Sequence, residues 1–144
     1  MADRTSSSIV INAGKAEVMA VIADFPGYPD WAEGIKTADI VKPGVDGRAE
    51  QVRFTLEAGP IKDTYELAYE WDGDDSVRWS LAVPGSVLSD MNGSYLLTDE
   101  GAGTKVVYEL AVGIKIPMIG MVKRKAEKII IDAALKGLKR HVER

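Results

Sequence analysis

The side chains that could do chemistry in this chain are few, and most of them are aromatic. Phe54, then Tyr65, Tyr69 and Trp71, then Trp79, then Tyr95 and Tyr108 fall at alternating positions inside apolar segments. A tyrosine or tryptophan placed this way brings a large apolar surface with one hydroxyl or N–H, which is the equipment for holding an apolar guest at a few polar points. Leu56, Leu81 and Met91 continue the same faces, and Trp31 precedes them. Met118, Met121, Val122 and Ile129 offer an adaptable opposing wall, since methionine fills irregular space. Gly93 would leave a gap in a bulky row, and Lys125 could point inward as an anion anchor or reach out to solvent. The same alternation also serves a plain core, so the pattern alone leaves both readings open.

Other constellations are thin. The one histidine, His141, lies three residues from the end, where a general base would be poorly held. There is no cysteine, which removes disulfides, thiolate metal sites and cysteine nucleophiles. No metal site and no cofactor are expected. Asp72, Asp74 and Asp75 read as a solvated hairpin tip because no calcium-loop spacing is met. Gly101 and Gly103 lack the strand-to-helix setting of a phosphate loop. If a reaction occurs, the tyrosine hydroxyls, Arg53, Arg78 and Lys125 are the candidates for it.

The elements that must position these residues follow from periodicity. Ile9–Asn12 reads as a strand, with Asn12 able to cap a helix whose face is Val18, Val21, Ile22 and Phe25. Pro26 and Gly27 should stop that helix, and Pro29 should open a second short one that carries Trp31 and ends at Gly34. From residue 37 the period becomes two, giving strands at 38–42, 48–58, 62–71, 77–83, 88–98 and 104–114. Their loops are short, so consecutive strands should be antiparallel neighbours. From Pro117 to Val142 the chain reads as one amphipathic helix, about 40 Å long at about 1.5 Å per residue. A rod of that length on a single domain of 144 residues must lie across a sheet, and the sheet must curve to receive it. The expected fold is α+β: a seven-stranded curved antiparallel sheet around a long C-terminal helix, with two short helices between the first and second strands and residues 1–7 a flexible tail.

Charge is divided unevenly. Residues 1–114 hold 9 basic and 19 acidic side chains, a balance of −10, whereas residues 115–144 hold 9 and 3, a balance of +6. A basic helix seated on an acidic sheet would neutralise it across the contact. Alternatively the helix face with Lys123, Arg124, Lys128, Lys136, Lys139 and Arg140 touches an anionic membrane surface. Nucleic acid is not expected, because the whole chain is acidic and carries no recognition motif. No apolar run approaches a membrane span and the N-terminus shows no secretory pattern, so cytoplasmic residence is the expectation.

Three stretches carry a resemblance: VMAVIADFPGYPDW (18–31), GSYLLTDEGAGTKVVYELAV (93–112) and PMIGMVKRKAEKIIIDAALKGLKRHVE (117–143). Together they resemble the polyketide cyclase/dehydrase and lipid-transport family of the START-like, birch-pollen-allergen-like (SRPBCC) helix-grip superfamily, and short actinobacterial members in particular. The resemblance implies a hydrophobic cavity between the sheet and the C-terminal helix, holding a lipid, sterol, quinone, hormone or polyketide. It implies binding or transport in most members and aromatisation or cyclisation in a minority, whose polar pocket residues find no clear match here. Binding of a hydrophobic small molecule is therefore expected, with a cyclase, dehydratase or aromatase as the alternative. Fold is not function, and the site must decide.

Overall fold

The computed structural model describes residues 4–58, 61–115 and 120–144, with side chains throughout except at 58, 61, 120–124 and 126. The strands are β1 (Thr5–Ile11), β2 (Ile35–Lys42), β3 (Gln51–Ala58), β4 (Ile61–Asp72), β5 (Ser76–Val83), β6 (Leu88–Glu100) and β7 (Gly103–Ile114). They form one seven-stranded sheet in the order β1-β7-β6-β5-β4-β3-β2, every neighbouring pair antiparallel. Helix α1 (Lys15–Ala23) and a 3-10 turn (Phe25–Asp30) carry the chain from β1 at one edge to β2 at the other, and α2 (Gly120–Val142) closes the fold. Register shifts place extra residues in β2, β5 and β6, bulges that bend and twist a strand and so curve the sheet.

Several expectations change in detail. Residues 5–7 are not a tail: Thr5, Ser6 and Ser7 pair with Leu110, Glu109 and Tyr108 of β7. A serine run carries no apolar signal, but β7 supplies the partner that the sequence hides. Asn12 does not cap α1; Gly14 holds the N-cap position, and the Asn12 backbone N–H donates to Glu143. The second short helix is a 3-10 turn that begins at Phe25 and ends before Trp31, since Pro26 and Pro29 lack the N–H an α-helix would use. The first turn of the long helix, at 117–119, lies outside the described residues.

Helix α2 buries Glu127, Ile131, Leu135 and Leu138, a stripe at helical spacing. It lies along β1, running in the same direction. In order, Thr5 Oγ1 donates to Glu127 Oε1 at 2.7 Å, Lys128 Nζ to Ser7 Oγ at 3.0 Å and Lys139 Nζ to the Val10 carbonyl at 2.8 Å; Asn12 N–H donates to Glu143 at 2.8 Å. Seven residue steps of strand and sixteen of helix each span about 23–24 Å, so the two elements match in length. The helix thereby covers an edge strand that would otherwise offer bare backbone to another chain.

The far end of α2 seats in the bend after the 3-10 turn. A Cβ at Gly137 would overlap the Trp31 carbonyl oxygen, so only glycine allows that approach. Among the described residues, hydrogen bonds and apolar packing join helix and sheet, and no ion pair crosses between them. Lys128 and Lys139 reach β1, and their carboxylate partners, Asp132 and Glu143, stand on α2 itself.

Candidate functional site

All ten aromatic residues of the chain belong to one connected network. Trp31 meets Tyr28 at 4.7 Å between centroids, Phe25 meets Tyr69 at 4.9 Å, Trp79 meets Tyr95 at 5.3 Å and Tyr95 meets Tyr108 at 4.6 Å. Strand register makes these meetings: Phe54 stands opposite Tyr65, Tyr69 opposite Trp79, and Tyr95 opposite Tyr108. Gly93 stands opposite Trp79, and the gap it was expected to leave is filled. A Cβ there would lie 2.6 Å from the Trp79 ring and 2.7 Å from the Glu109 carbonyl, so the glycine makes room for the indole and not for a guest.

Burial along this face differs between β3–β6 and β7: Leu110 and Val112 of β7 are buried at 0% and 8% exposure, and Trp71, opposite Val77, is half-buried. At the end where α1 packs on β6 and β7, Val52, Val77 and Val106 are 0% exposed and Leu97 is 1%. In the middle, Phe54, Tyr65, Tyr69, Trp79, Tyr95 and Tyr108 keep 3–9% exposure although they sit at the centre of the sheet. At the other end Leu56, Leu81 and Met91 are only half-buried. That end faces the first turns of α2, where Met118 is outside the described residues and the side chains of Met121 and Val122 are not described. Two surface depressions among the described residues lie elsewhere, between the 3-10 turn and β2 and beside the 46–48 loop.

Two candidates face away from the interior. Lys125 is exposed, and Ile129 is 62% exposed on the outer side of α2. The inward polar residue of the helix is instead Glu127. Its carboxylate is buried, with one oxygen taking Thr5 Oγ1 and the other the Val112 N–H at 2.7 Å. Arg53 and Arg78 also leave the list of actors: they lie on the convex face, paired with Glu66 at 2.9 Å and Glu70 at 3.0 Å. Trp31 is buried against Tyr28 and α2, and the chain that follows it joins the sheet at the half-open end, where the Gly34 carbonyl accepts the Glu57 N–H and Ile35 stands opposite Leu56.

The half-open rim has its own buried carboxylate, absent from the sequence-based candidates. Asp63 accepts backbone N–H groups from Thr64, Ser86, Val87 and Leu88 at 2.7–3.3 Å, so it fastens the β5–β6 loop. An acid two residues before an inward tyrosine, on a strand facing Pro84–Gly85, was the available signal. For Glu127 the signal was its place on the Ile131–Leu135 line.

Burial pushes the phenols of Tyr28, Tyr65, Tyr69, Tyr95 and Tyr108 above their ordinary value. For Tyr69 the nearby Tyr95 and Tyr65 add to this, and for Tyr108 the nearby Tyr95 does. These five are every tyrosine in the chain. All stay neutral near pH 7 and can donate a hydrogen bond, and none can serve as a base. Tyr28 donates to the Ile22 carbonyl at 2.5 Å. Among the described residues, the other four hydroxyls meet no protein acceptor. His141 is half-buried on the last turn of α2, with Nδ1 enclosed and unpartnered among the described residues.

Comparison with known proteins places this geometry. The solved START superfamily protein from Mycobacterium smegmatis superposes with a TM-score of 0.89 at 22% identity, covering 97% of each chain. The Zhui aromatase/cyclase from Streptomyces sp. R1128 gives 0.81 at 15%, over 100% of this chain and 95% of that one. Ara h 8.0201 gives 0.75 at 11%, over 99% of each. At such identities these likenesses establish the fold alone. No curated protein matches the sequence. No helix among the described residues is long and apolar enough to cross a membrane. The family described as polyketide cyclase / dehydrase and lipid transport matches residues 2–143, and with that match over a helix-grip fold the chain belongs to this family.

Proposed function

We propose that this protein binds or transports a hydrophobic small molecule, lipid-like, polyketide-like or otherwise polycyclic, between the sheet and α2. One observation carries the reading: the middle of the inner face is a buried aromatic stretch whose four phenol hydroxyls lack a described protein acceptor, and it leads to the half-buried Leu56, Leu81 and Met91 at one end. A neutral phenol rewards a guest with a carbonyl or hydroxyl oxygen, and the surrounding rings reward its apolar body. Phe54, Leu56, Tyr65, Tyr69, Trp79, Leu81, Met91 and Tyr95 are the proposed lining, with Tyr108 added and with Met118, Met121 and Val122 on the helix side. A guest of this kind resides in membranes, so the reading extends to transient contact between the basic C-terminal helix and an anionic membrane surface.

Native mass spectrometry of freshly purified protein, followed by solvent extraction, tests the binding. A co-purified apolar molecule, or tight uptake of a polycyclic probe that quenches tryptophan fluorescence, is expected. Repeated absence of both would end the reading.

The cyclase or dehydratase reading rests on the same phenols, which could polarise a ketone of a polyketide-like chain. A reaction of that class also needs a base, and the described carboxylates Asp63 and Glu127 are held by backbone N–H groups and a threonine. Turnover that survives Tyr65→Phe, Tyr69→Phe and Tyr95→Phe together would dispose of phenol catalysis.

A further inference from the structure

We propose that the outward face of α2, formed by Lys125, Ile129, Ile130, Lys136 and Arg140, docks on an anionic lipid bilayer. Lys125, Ile129, Lys136 and Arg140 fall within an arc of about 60° at about 100° per residue, so they form one stripe along the helix. All four are exposed, Ile129 by 62%; Ile130, 43% exposed, lies on the flank about 80° beyond Arg140. Two isoleucines on the solvent side of a helix whose inner stripe is already complete have no role in the core. Flanked by cations, they match a surface with anionic headgroups above an apolar layer.

The acids of this segment do not oppose such contact. From residue 115 onward there are three: Glu127 is buried against β7, Asp132 pairs with Lys128 at 3.1 Å and Glu143 with Lys139 at 2.6 Å. The remainder of the chain is strongly acidic, with a balance of −10 over residues 1–114 against +6 over residues 115–144. That dipolar distribution turns α2 toward an anionic membrane and the sheet away from it. Nucleic acid fits less well, because phosphate contacts would leave both isoleucines unused and the whole chain carries −4. The half-open rim faces the start of the same helix, so docking would bring the interior to the bilayer. In that purpose alone the proposal rests on the carrier reading.

Co-sedimentation with phosphatidylcholine vesicles, with and without one third phosphatidylglycerol, tests it on protein stripped of any guest. Binding is expected to the anionic vesicles alone and to weaken as salt rises from about 0.05 to 0.5 M, where the screening length falls from above 10 Å to a few ångströms. Reversing Lys125, Lys136 and Arg140 to glutamate should lower affinity about a hundredfold, at roughly a factor of five for each cation. Ile129→Ser with Ile130→Ser should lower it severalfold and leave the salt dependence in place. Both variants change solvent-facing residues, and unchanged thermal unfolding would show that folding is intact.

No binding to anionic vesicles, equal binding to neutral ones, or variants that bind as well as the parent would each overturn the proposal. Binding to duplex DNA as tight as to vesicles, and unaffected by the isoleucine changes, would reassign the face to nucleic acid and overturn it too. Because the vesicle assay contains no guest, its failure leaves the binding reading standing. Failure to find a guest likewise leaves the docking face standing.

Discussion

The two ends of the inner face are built from the same kinds of residue and finished differently. At one end Val52, Val77, Leu97 and Val106 are sealed, and α1, packed on β6 and β7, buries its own Val18, Met19 and Ile22 fully. Ties across the surface reinforce this closure: Lys15 pairs with Asp75 at 2.7 Å, Arg48 with Asp74 at 2.8 Å, and Arg48 lies over the Trp71 ring. At the other end Leu56, Leu81 and Met91 remain half-buried, and the polar tie there, Asp63 on the β5–β6 loop, holds the rim in shape without covering it. Apolar residues of one kind are buried to different depths on one face, so their own type does not decide closure. A binding fold needs both conditions in one molecule: a closed end for stability and an unfinished end for a guest.

The largest effect expected concerns the buried phenols, four of which stand in the middle of the face. Folding raises all five phenols above an ordinary value of about 10, so the unfolded chain releases phenolic protons first. Their contribution is complete below about pH 10; above it, stability falls by up to about 1.4 kcal/mol per pH unit for each tyrosine until the folded value is reached. Tyrosinate absorbance should therefore appear in one steep step together with loss of near-ultraviolet circular dichroism. A phenol that titrates smoothly while the dichroism persists would show a wetter middle than its burial implies.

A matched pair tests the contrast between the ends. Leu97→Ala, at the sealed end, should cost about 2–5 kcal/mol, the usual range for a buried leucine. Leu81→Ala, at the half-open end, should cost less than about half of that, because part of its surface is already solvated. Urea unfolding gives both values under one set of conditions. Equal losses would remove the distinction between the ends.

How much of this was legible in the sequence depends on which force fixed each part. The strands were, because Val77, Trp79, Leu81 and Val83 alternate without interruption, and a period of two is the mark of a half-buried strand. Their ends were not, since Thr5–Ser7 become strand only through β7. The helix was legible as a rod, and its faces less so. Lys125 and Ile129 were candidates for the inside, yet the inner line runs through Glu127 and Ile131, as a basic helix with several apolar positions admits more than one stripe. Gly93 was misleading for a different reason: a missing side chain marks close approach as readily as empty space, and only the register that sets Trp79 opposite distinguishes the two. The aromatic lining could be drawn up from spacing; which end stays open could not, because that depends on where α1 and α2 come to rest.

The rim offers a smaller test. Asp63→Ala would leave the N–H groups of Ser86, Val87 and Leu88 without their acceptor, at a cost of about 1–3 kcal/mol. Hydrogen exchange should accelerate at these three amides while the amide of Leu97 at the sealed end is unchanged. Acceleration at both ends alike would mean that the carboxylate supports the whole fold and not the rim.

The smallest effect separates the two kinds of tyrosine. Tyr28 gives its hydroxyl to the Ile22 carbonyl beside the sealed end, whereas Tyr95, opposite Tyr108 in mid-sheet, has no described protein acceptor. Tyr28→Phe should therefore lose about 1 kcal/mol of stability, the net worth of one hydrogen bond, and leave uptake of a polycyclic probe unaltered. Tyr95→Phe should be nearly neutral for folding and weaken the same probe about fivefold, because there the hydroxyl is free for the guest. Thermal unfolding and a fluorescence titration on the two variants decide the matter. If Tyr95→Phe costs stability and spares the probe, its hydroxyl serves the protein, and the middle of the face belongs with the sealed end.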